Sequence, residues 1–355
     1  MWTQLADKSI VDNQGKVIHF GPTRYLSDIC LGDCCFICGT DSDASFSREH
    51  VLPDWVVRRY SLHQRGIELP NQASMRYARY TVPCCRDCNS LLGTHFEETI
   101  SAKTEFGYSS FLDHIDTSTL AVLFDWMALI FLKTHLKDKS LRFHLDNRVD
   151  SAPISSGYDW ESLQPIHSVA RSFYSGCTVD RRTIGSLLIL PVANTPELQE
   201  QFDFADLHVA QTAMMRLGDI GLIAVFNDAG LITQLLSPLL KRITGPVSTI
   251  QLRELMVEFA YQNLIVHPRP TYHFDASLSD KRSFIYATRP AKIDQASDPR
   301  IRGRLLSHAL RELLPHFELP GVSREKTIEA LEAGTITFLF DEQGKFITET
   351  TILNV

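Results

Sequence analysis

Three short stretches carry side chains able to do chemistry. CCFICG, residues 34–39, and CCRDCNSLLG, residues 84–93, hold six of the eight cysteines of the chain, and seven of the eight lie before residue 90. Between them stands SFSREHVLPDW, residues 45–55, with adjacent Glu49 and His50. Cys35 and Cys38 form one C-x2-C pair, Cys85 and Cys88 a second, and a turn of that spacing puts both sulfurs on one side. Two such halves supply the four thiolates of a tetrahedral structural zinc. Cys34 and Cys84 offer C-x3-C alternatives; the shorter spacing is preferred at both ends, which leaves Cys30, Cys34 and the isolated Cys177 as small buried residues.

The dipeptide and the Asn behind the second pair suggest a different chemistry. Hydrolysis of a phosphodiester needs a water stripped of its proton in line with the leaving oxygen, and charge stabilisation at the phosphoryl group. Neutral imidazole accepts such a proton near pH 7, so His50 is the candidate general base. Glu49 and Asn89 offer hard oxygen ligands suited to Mg²⁺ or Mn²⁺, unlike the soft thiolates of the zinc.

The elements that must position these groups are partly legible. Val51, Leu52 and Pro53 after the dipeptide predict a short strand and turn. SLLGTHFEETIS after Asn89 predicts a helix in which Asn89 and Glu97 share a face if Gly93 does not break it. Glu97 and His95 read as surface groups. Asn71 is the one Asn between His50 and the second cysteine pair and reads as a turn residue.

Together these residues resemble the HNH nuclease family, the ββα-metal or His-Me finger group. The resemblance rests on Cys35 and Cys38, on Glu49-His50 with Pro53 behind, and on the second pair running into Asn89, and it covers about residues 28–100. It implies two strands that bring the acid-His dipeptide opposite a helix starting near the second pair, with a structural zinc clamping the ends. It implies a catalytic ion held by Glu49 and Asn89 against the scissile phosphate. Many members carry Asp or His where Glu49 stands and His where Asn89 stands, and the family's middle Asn has no counterpart here, so a backbone carbonyl is expected to orient His50. By family analogy alone, the implied setting is a bacterial defence or mobile-element nuclease.

Charge distribution suits a nucleic-acid partner, with DNA the expected form. The net charge is −7, yet residues 48–86 carry seven arginines against three acids, +4. Arg48, Arg58, Arg59, Arg76, Arg79 and Arg86 are the candidate nucleic-acid-binding residues, and Trp55, Tyr60, Tyr77 and Tyr80 among them suit stacking on unpaired bases. A second basic zone at 268–304 contains Lys281, Arg282, Arg289, Lys292, Arg300, Arg302 and Arg304.

The expected fold class is α+β: an HNH zinc module over 1–110, then a mixed α/β region over 111–355 that selects substrate, regulates, self-associates or binds a partner protein. In that region Asp116 predicts a helix start, and LAVLFDWMALIFLKTHL after it a helix buried all round. Residues 146–157 read as a loop. TIGSLLILPV (183–192) and DIGLIAVFNDAG (219–230) read as strands with a helical pattern around 196–215 between them, 247–266 as an amphipathic helix, and 335–352 as a hairpin. The N-terminus lacks the pattern of a secretory signal and no run reads as a membrane span, so a cytoplasmic enzyme is expected. No phosphate loop, nucleophile elbow or H-E-x-x-H helix occurs. The rival expectation is a non-catalytic zinc module that binds nucleic acid or protein, with the main activity in the C-terminal region.

Overall fold

A computed structural model describes residues 1–43, 46–146, 148–313 and 324–348. The chain is α+β and divides into two compact units: residues 1–105, 113–184 and 272–288 form the first, residues 106–112, 185–271 and 289 onward the second. The first unit therefore runs well past residue 110, where the sequence reading places the boundary. The reason is that the Thr117–Asp138 helix packs into it. Asp116 caps that helix, its Oδ1 accepting from the Thr119 N–H at 2.7 Å. This core helix is long and apolar enough to cross a membrane, but 78% of its apolar stretch is buried within the protein.

In the first unit, a small sheet of Thr3–Gln4, Ile10–Val11 and Val17–His19 leads to the first cysteine turn. The dipeptide strand, Phe46–His50, pairs antiparallel with a partner strand, Thr81–Cys85, and between them lie the Asp54–Arg59 helix and a hairpin of Gly66–Glu68 with Ser74–Arg76. The chain then enters the Arg86–Leu92 helix directly. A further sheet joins Thr178–Val179 to Arg282–Thr288 in parallel, with Thr271–Ser277 on the other side.

The second unit is built on a four-stranded antiparallel sheet in the order Phe202–Leu207, Thr212–Leu217, Ile220–Val225, Ser186–Pro191. The helical pattern expected at 196–215 is thus two strands. Phe202, Phe204 and Leu207 face the core between less buried residues, and Gln211 takes a left-handed φ of 46° to turn the chain between the two. Pairing with the Ile220–Val225 strand outweighs a period that fits a helix as well. The Thr249–Ile265 helix is buried nearly all round, not amphipathic. Its charged residues are buried as partners: Arg253 binds Asp203 and Glu312, and Arg302 binds Glu254 at 2.7 Å and Glu258. Arg302 and Arg289, which donates to the Ala229 carbonyl, are structural members of the second basic zone. The expected C-terminal hairpin is a turn closed by the Phe340–Phe346 bridge; residues 349–352 of it lie outside the described residues.

Candidate metal centre and the Glu49–His50 strand

The first cysteine pair sits on a turn held from within and from behind. The Cys35 N–H donates to Thr40 O at 2.9 Å and the Gly39 N–H to Cys35 O at 2.8 Å. Gly39 has φ +74°, and a Cβ there would lie 2.7 Å from the Phe20 ring, so only glycine fits the turn. From the Gln164–Ala170 helix, His167 Nε2 lies 2.7 Å from Phe36 O, and Arg171 just after it donates to Ile37 O at 3.0 Å and to Val17 and Ile18 carbonyls. Burial and the Arg171 charge hold His167 down to about 3, so the ring is neutral and donates through Nε2.

The second pair straddles the switch from partner strand to helix, Cys85 ending the strand and Cys88 lying in the first helical turn. The four sulfurs of Cys35, Cys38, Cys85 and Cys88 all lie within 4.8 Å of one another, and Cys38 and Cys85 are 3.7 Å apart. A tetrahedral zinc with Zn–S bonds of about 2.3 Å separates its sulfurs by about 3.8 Å, so the donor set fits a four-thiolate zinc. Among the described residues this is the one group of His, Cys, Asp or Glu that converges closely enough for a metal. Cys84, outside that set, has its sulfur 3.8 Å from that of Cys35. Cys30 and Cys177 are buried, and Cys34 is 3.3 Å from Asp41 Oδ1.

The register Phe46↔Cys85, Ser47↔Cys84, Glu49↔Val82, His50↔Thr81 ties the dipeptide strand to the second half-site. Strand alternation turns Ser47 and Glu49 to one face and Arg48 to the other, and His50 is the last residue of the strand. Asn89 Nδ2 donates to Ser47 Oγ at 2.7 Å, and that hydroxyl donates to Cys84 O at 3.1 Å, so the helix is fastened to the strand. Asn89 Oδ1 accepts no hydrogen bond among the described residues. Glu49 is buried in an ion pair: Lys133 of the core helix approaches Oε1 at 2.6 Å, with side-chain exposures of 4% and 6%, and the same ammonium donates to the His50 carbonyl at 2.7 Å. The His50 ring is half-buried and makes no hydrogen bond among the described residues. A carbonyl was expected to orient that ring; what is held instead is the backbone of His50, by Lys133. Asn71 is a turn residue, accepting from the Ala73 N–H and donating to Arg142 O.

Gly93 does not break the helix behind Asn89. Its backbone is helical, and the chain passes through a wide π turn, Gly93–Glu97, into the Glu98–Lys103 helix. Such turns insert a residue and re-aim the side chains beyond it. Glu97 faces a charged cluster: burial pushes its carboxyl up to about 6, Lys133 opposes the rise, and Glu49 and Asp54 add to it. Sequence reasoning treated Glu97 as a surface acid and passed over Lys133 altogether. The available signal was a lysine inside LAVLFDWMALIFLKTHL, a run expected to be buried all round, where burial demands an acidic partner.

Glu97 gives a pH test. Its folded-state value of about 6 exceeds the ordinary 4.5, so the folded protein disfavours the charged form. The resulting penalty is absent below pH 4.5, grows between 4.5 and 6, and is complete above 6, where a rise of this size corresponds to about 2 kcal/mol. Glu97→Gln is therefore expected to match wild type at pH 4 and exceed it by about that amount at pH 7.5 in urea melts. A loss of stability at pH 7.5 would mean that the Glu97 charge is needed by Lys133.

The arginines expected to bind nucleic acid divide. Arg48, Arg76, Arg79 and Arg86 are exposed. Arg58 is exposed but paired with Asp54 at 2.5 Å. Arg59 is a staple, donating to Thr104 Oγ1 and to Ser101 O and Oγ at 2.8–2.9 Å and lying over the Trp55 ring, so both its terminal nitrogens are held within the fold. The aromatics expected to stack on bases are equally internal: Tyr60, Tyr77 and Tyr80 are buried, and Trp55 stacks on Trp126. Bulky residues between arginines were simply the core face of the same elements. Comparison with protein-family models, with curated proteins and with solved structures finds no match to this chain.

Proposed function

We propose that the first unit is an endonuclease of the HNH type that hydrolyses phosphodiester bonds of nucleic acid, DNA first. The observation that carries this reading is the fastening of Asn89 to the dipeptide strand across a cysteine-clamped strand-helix junction, with the His50 ring left open to a substrate. His50 accepts the proton of the attacking water, the hydroxide adds to phosphorus, and the 3′ oxygen leaves. Asn89 Oδ1 and the Glu49 oxygen that Lys133 does not engage would hold a Mg²⁺ or Mn²⁺ ion, which would supply charge stabilisation at the phosphoryl group. Arg48, Arg76, Arg79 and Arg86 contact backbone phosphates. The second unit selects substrate, regulates or self-associates, in a cytoplasmic setting of defence or mobile-element biology.

The test is nicking of supercoiled plasmid by wild type and His50→Ala at equal zinc content, with Mg²⁺ or Mn²⁺ and with EDTA. Metal-dependent nicking that falls at least about a hundredfold in the variant is expected. Equal cleavage by both proteins removes His50 as the base. The Glu49–Lys133 pair favours a second reading, in which the dipeptide is structural and the module only binds nucleic acid or protein. That reading predicts binding that His50→Ala leaves intact, with no cleavage by either protein.

A further inference from the structure

Exposed aromatic rings do occur in the first unit, far from the arginine-rich segment in sequence. Along the Arg282–Thr288 strand, Ser283 and Ile285 are buried while Arg282, Phe284, Tyr286 and Thr288 alternate outward, with Phe284 45% and Tyr286 36% exposed. Alternation in the neighbouring Thr271–Ser277 strand puts His273 and Asp275 on this same face. His273 stacks on Tyr286 at 4.9 Å and 21°, and its Nε2 lies 3.2 Å from Thr288 Oγ1.

The inner face makes this sheet a firm support. Phe274 stacks on His19 at 3.8 Å and 14°, the Tyr272 hydroxyl donates to Thr183 O, and the Asp180 N–H donates to Ile285 O at 2.9 Å. Lys281 and Arg282 lie at the turn between the two strands and Arg181 is exposed beyond the Thr178–Val179 strand. Asp280 in that turn accepts from Ser277 Oγ at 2.8 Å.

A face of this kind suits one class of ligand. Phe284 and Tyr286 stand two residues apart on one strand, about 6.7 Å, wide enough for each ring to take its own base. Flat rings on a rigid sheet with cations at its margin are how unpaired bases are held, because every base offers a π face while the phosphates follow the charge. We propose that this face, centred on Phe284 and Tyr286, binds a single-stranded stretch of nucleic acid by base stacking. The inference deepens the nuclease reading, naming unpaired nucleotides as what the first unit grips, and rests on it for its purpose.

The binding itself is measured apart from cleavage. Fluorescence anisotropy in EDTA, on the full chain carrying His50→Ala, compares fluorescein-labelled dT12, U12, an abasic strand of equal length and a duplex. Tighter binding of dT12 or U12 than of the abasic strand is expected, and the ratio of the first two tells DNA from RNA. Phe284→Ala and Tyr286→Ala are each expected to weaken dT12 binding about tenfold while leaving the abasic strand unchanged. Phe284→Tyr restores it. Both rings are exposed, so an unchanged melting temperature verifies folding. Equal affinity for dT12 and the abasic strand overturns the proposal, as does a double variant that binds like its parent. A sedimentation mass that drops only in the double variant also overturns it, making the face a contact between copies of the chain. Plasmid nicking by chains with His50 intact is scored separately: stacking that survives without nicking sinks the nuclease, and nicking without stacking sinks this face.

Discussion

One zinc per chain, lost together with the order of the cysteine-clamped junction on substitution of Cys85 or Cys88, is the largest effect the structure predicts. The Phe46–His50 and Thr81–Cys85 strands form a ribbon of only two strands, which is marginal by itself. Its end is closed by cysteine sulfurs from both sides. In peptides whose fold is made by metal alone, zinc contributes about 10–16 kcal/mol. Here Arg171 and His167 also hold the first turn, so part of the junction stays ordered without the ion. The expected loss for Cys88→Ser is about 4 kcal/mol or more, near 10 °C in melting temperature for a unit of this size. Mass spectrometry of bound metal and a thermal melt measure both. Cys84→Ser is the informative control: its sulfur touches that of Cys35 but lies outside the converging four, so zinc stoichiometry is expected to hold. Retention of zinc by Cys85→Ser with loss in Cys84→Ser would reassign the ligand to the C-x3-C spacing.

That assignment was legible in the sequence because thiolate spacing is a local constraint. Two residues between cysteines admit one kind of turn, and the turn is the half-site. The helix that carries Asn89 was legible from its own residues, but the strand signal at Val51 and Leu52 lay just past the actual strand, Phe46–His50. What was not legible depended on partners distant in sequence. Nothing near Glu49 announces that Lys133, 84 residues away, neutralises it. Arg59 looks like its neighbours until Ser101 and Thr104 are brought beside it. The tyrosines at 60, 77 and 80 sit among arginines in the sequence and are buried in the fold. Phe284 and Tyr286 lie in a strand outside the expected module, and their exposure depends on which face of a tertiary sheet is covered. The two strands at 202–217 were misread because a period that fits a helix also fits alternation when the run is short. Pairing with a neighbour decides such cases.

Lys133 offers the second large effect and a decision on the role of Glu49. Removing one partner of a buried ion pair leaves an uncompensated charge and costs about 3–5 kcal/mol. Lys133→Met and Glu49→Gln are each expected to destabilise by about that much. The double variant removes both charges, so it should cost less than the sum, with a coupling of about 2 kcal/mol or more in a double-mutant cycle. Calorimetry with and without Mg²⁺ then asks what else Glu49 binds. If its carboxylate is a cation ligand, freeing it from Lys133 raises its affinity for the ion, and ligand linkage raises the melting temperature of Lys133→Met in 10 mM Mg²⁺ more than that of wild type. The concentration of Mg²⁺ for half-maximal nicking falls in parallel. An ion effect no larger than in wild type makes Glu49 a structural acid, whose work is to hold Lys133 against the His50 carbonyl and so fix the path of the strand. The proposed nuclease would then rest on His50 and Asn89 without it, and Glu97, the remaining carboxylate beside Lys133, becomes the candidate oxygen ligand to substitute next.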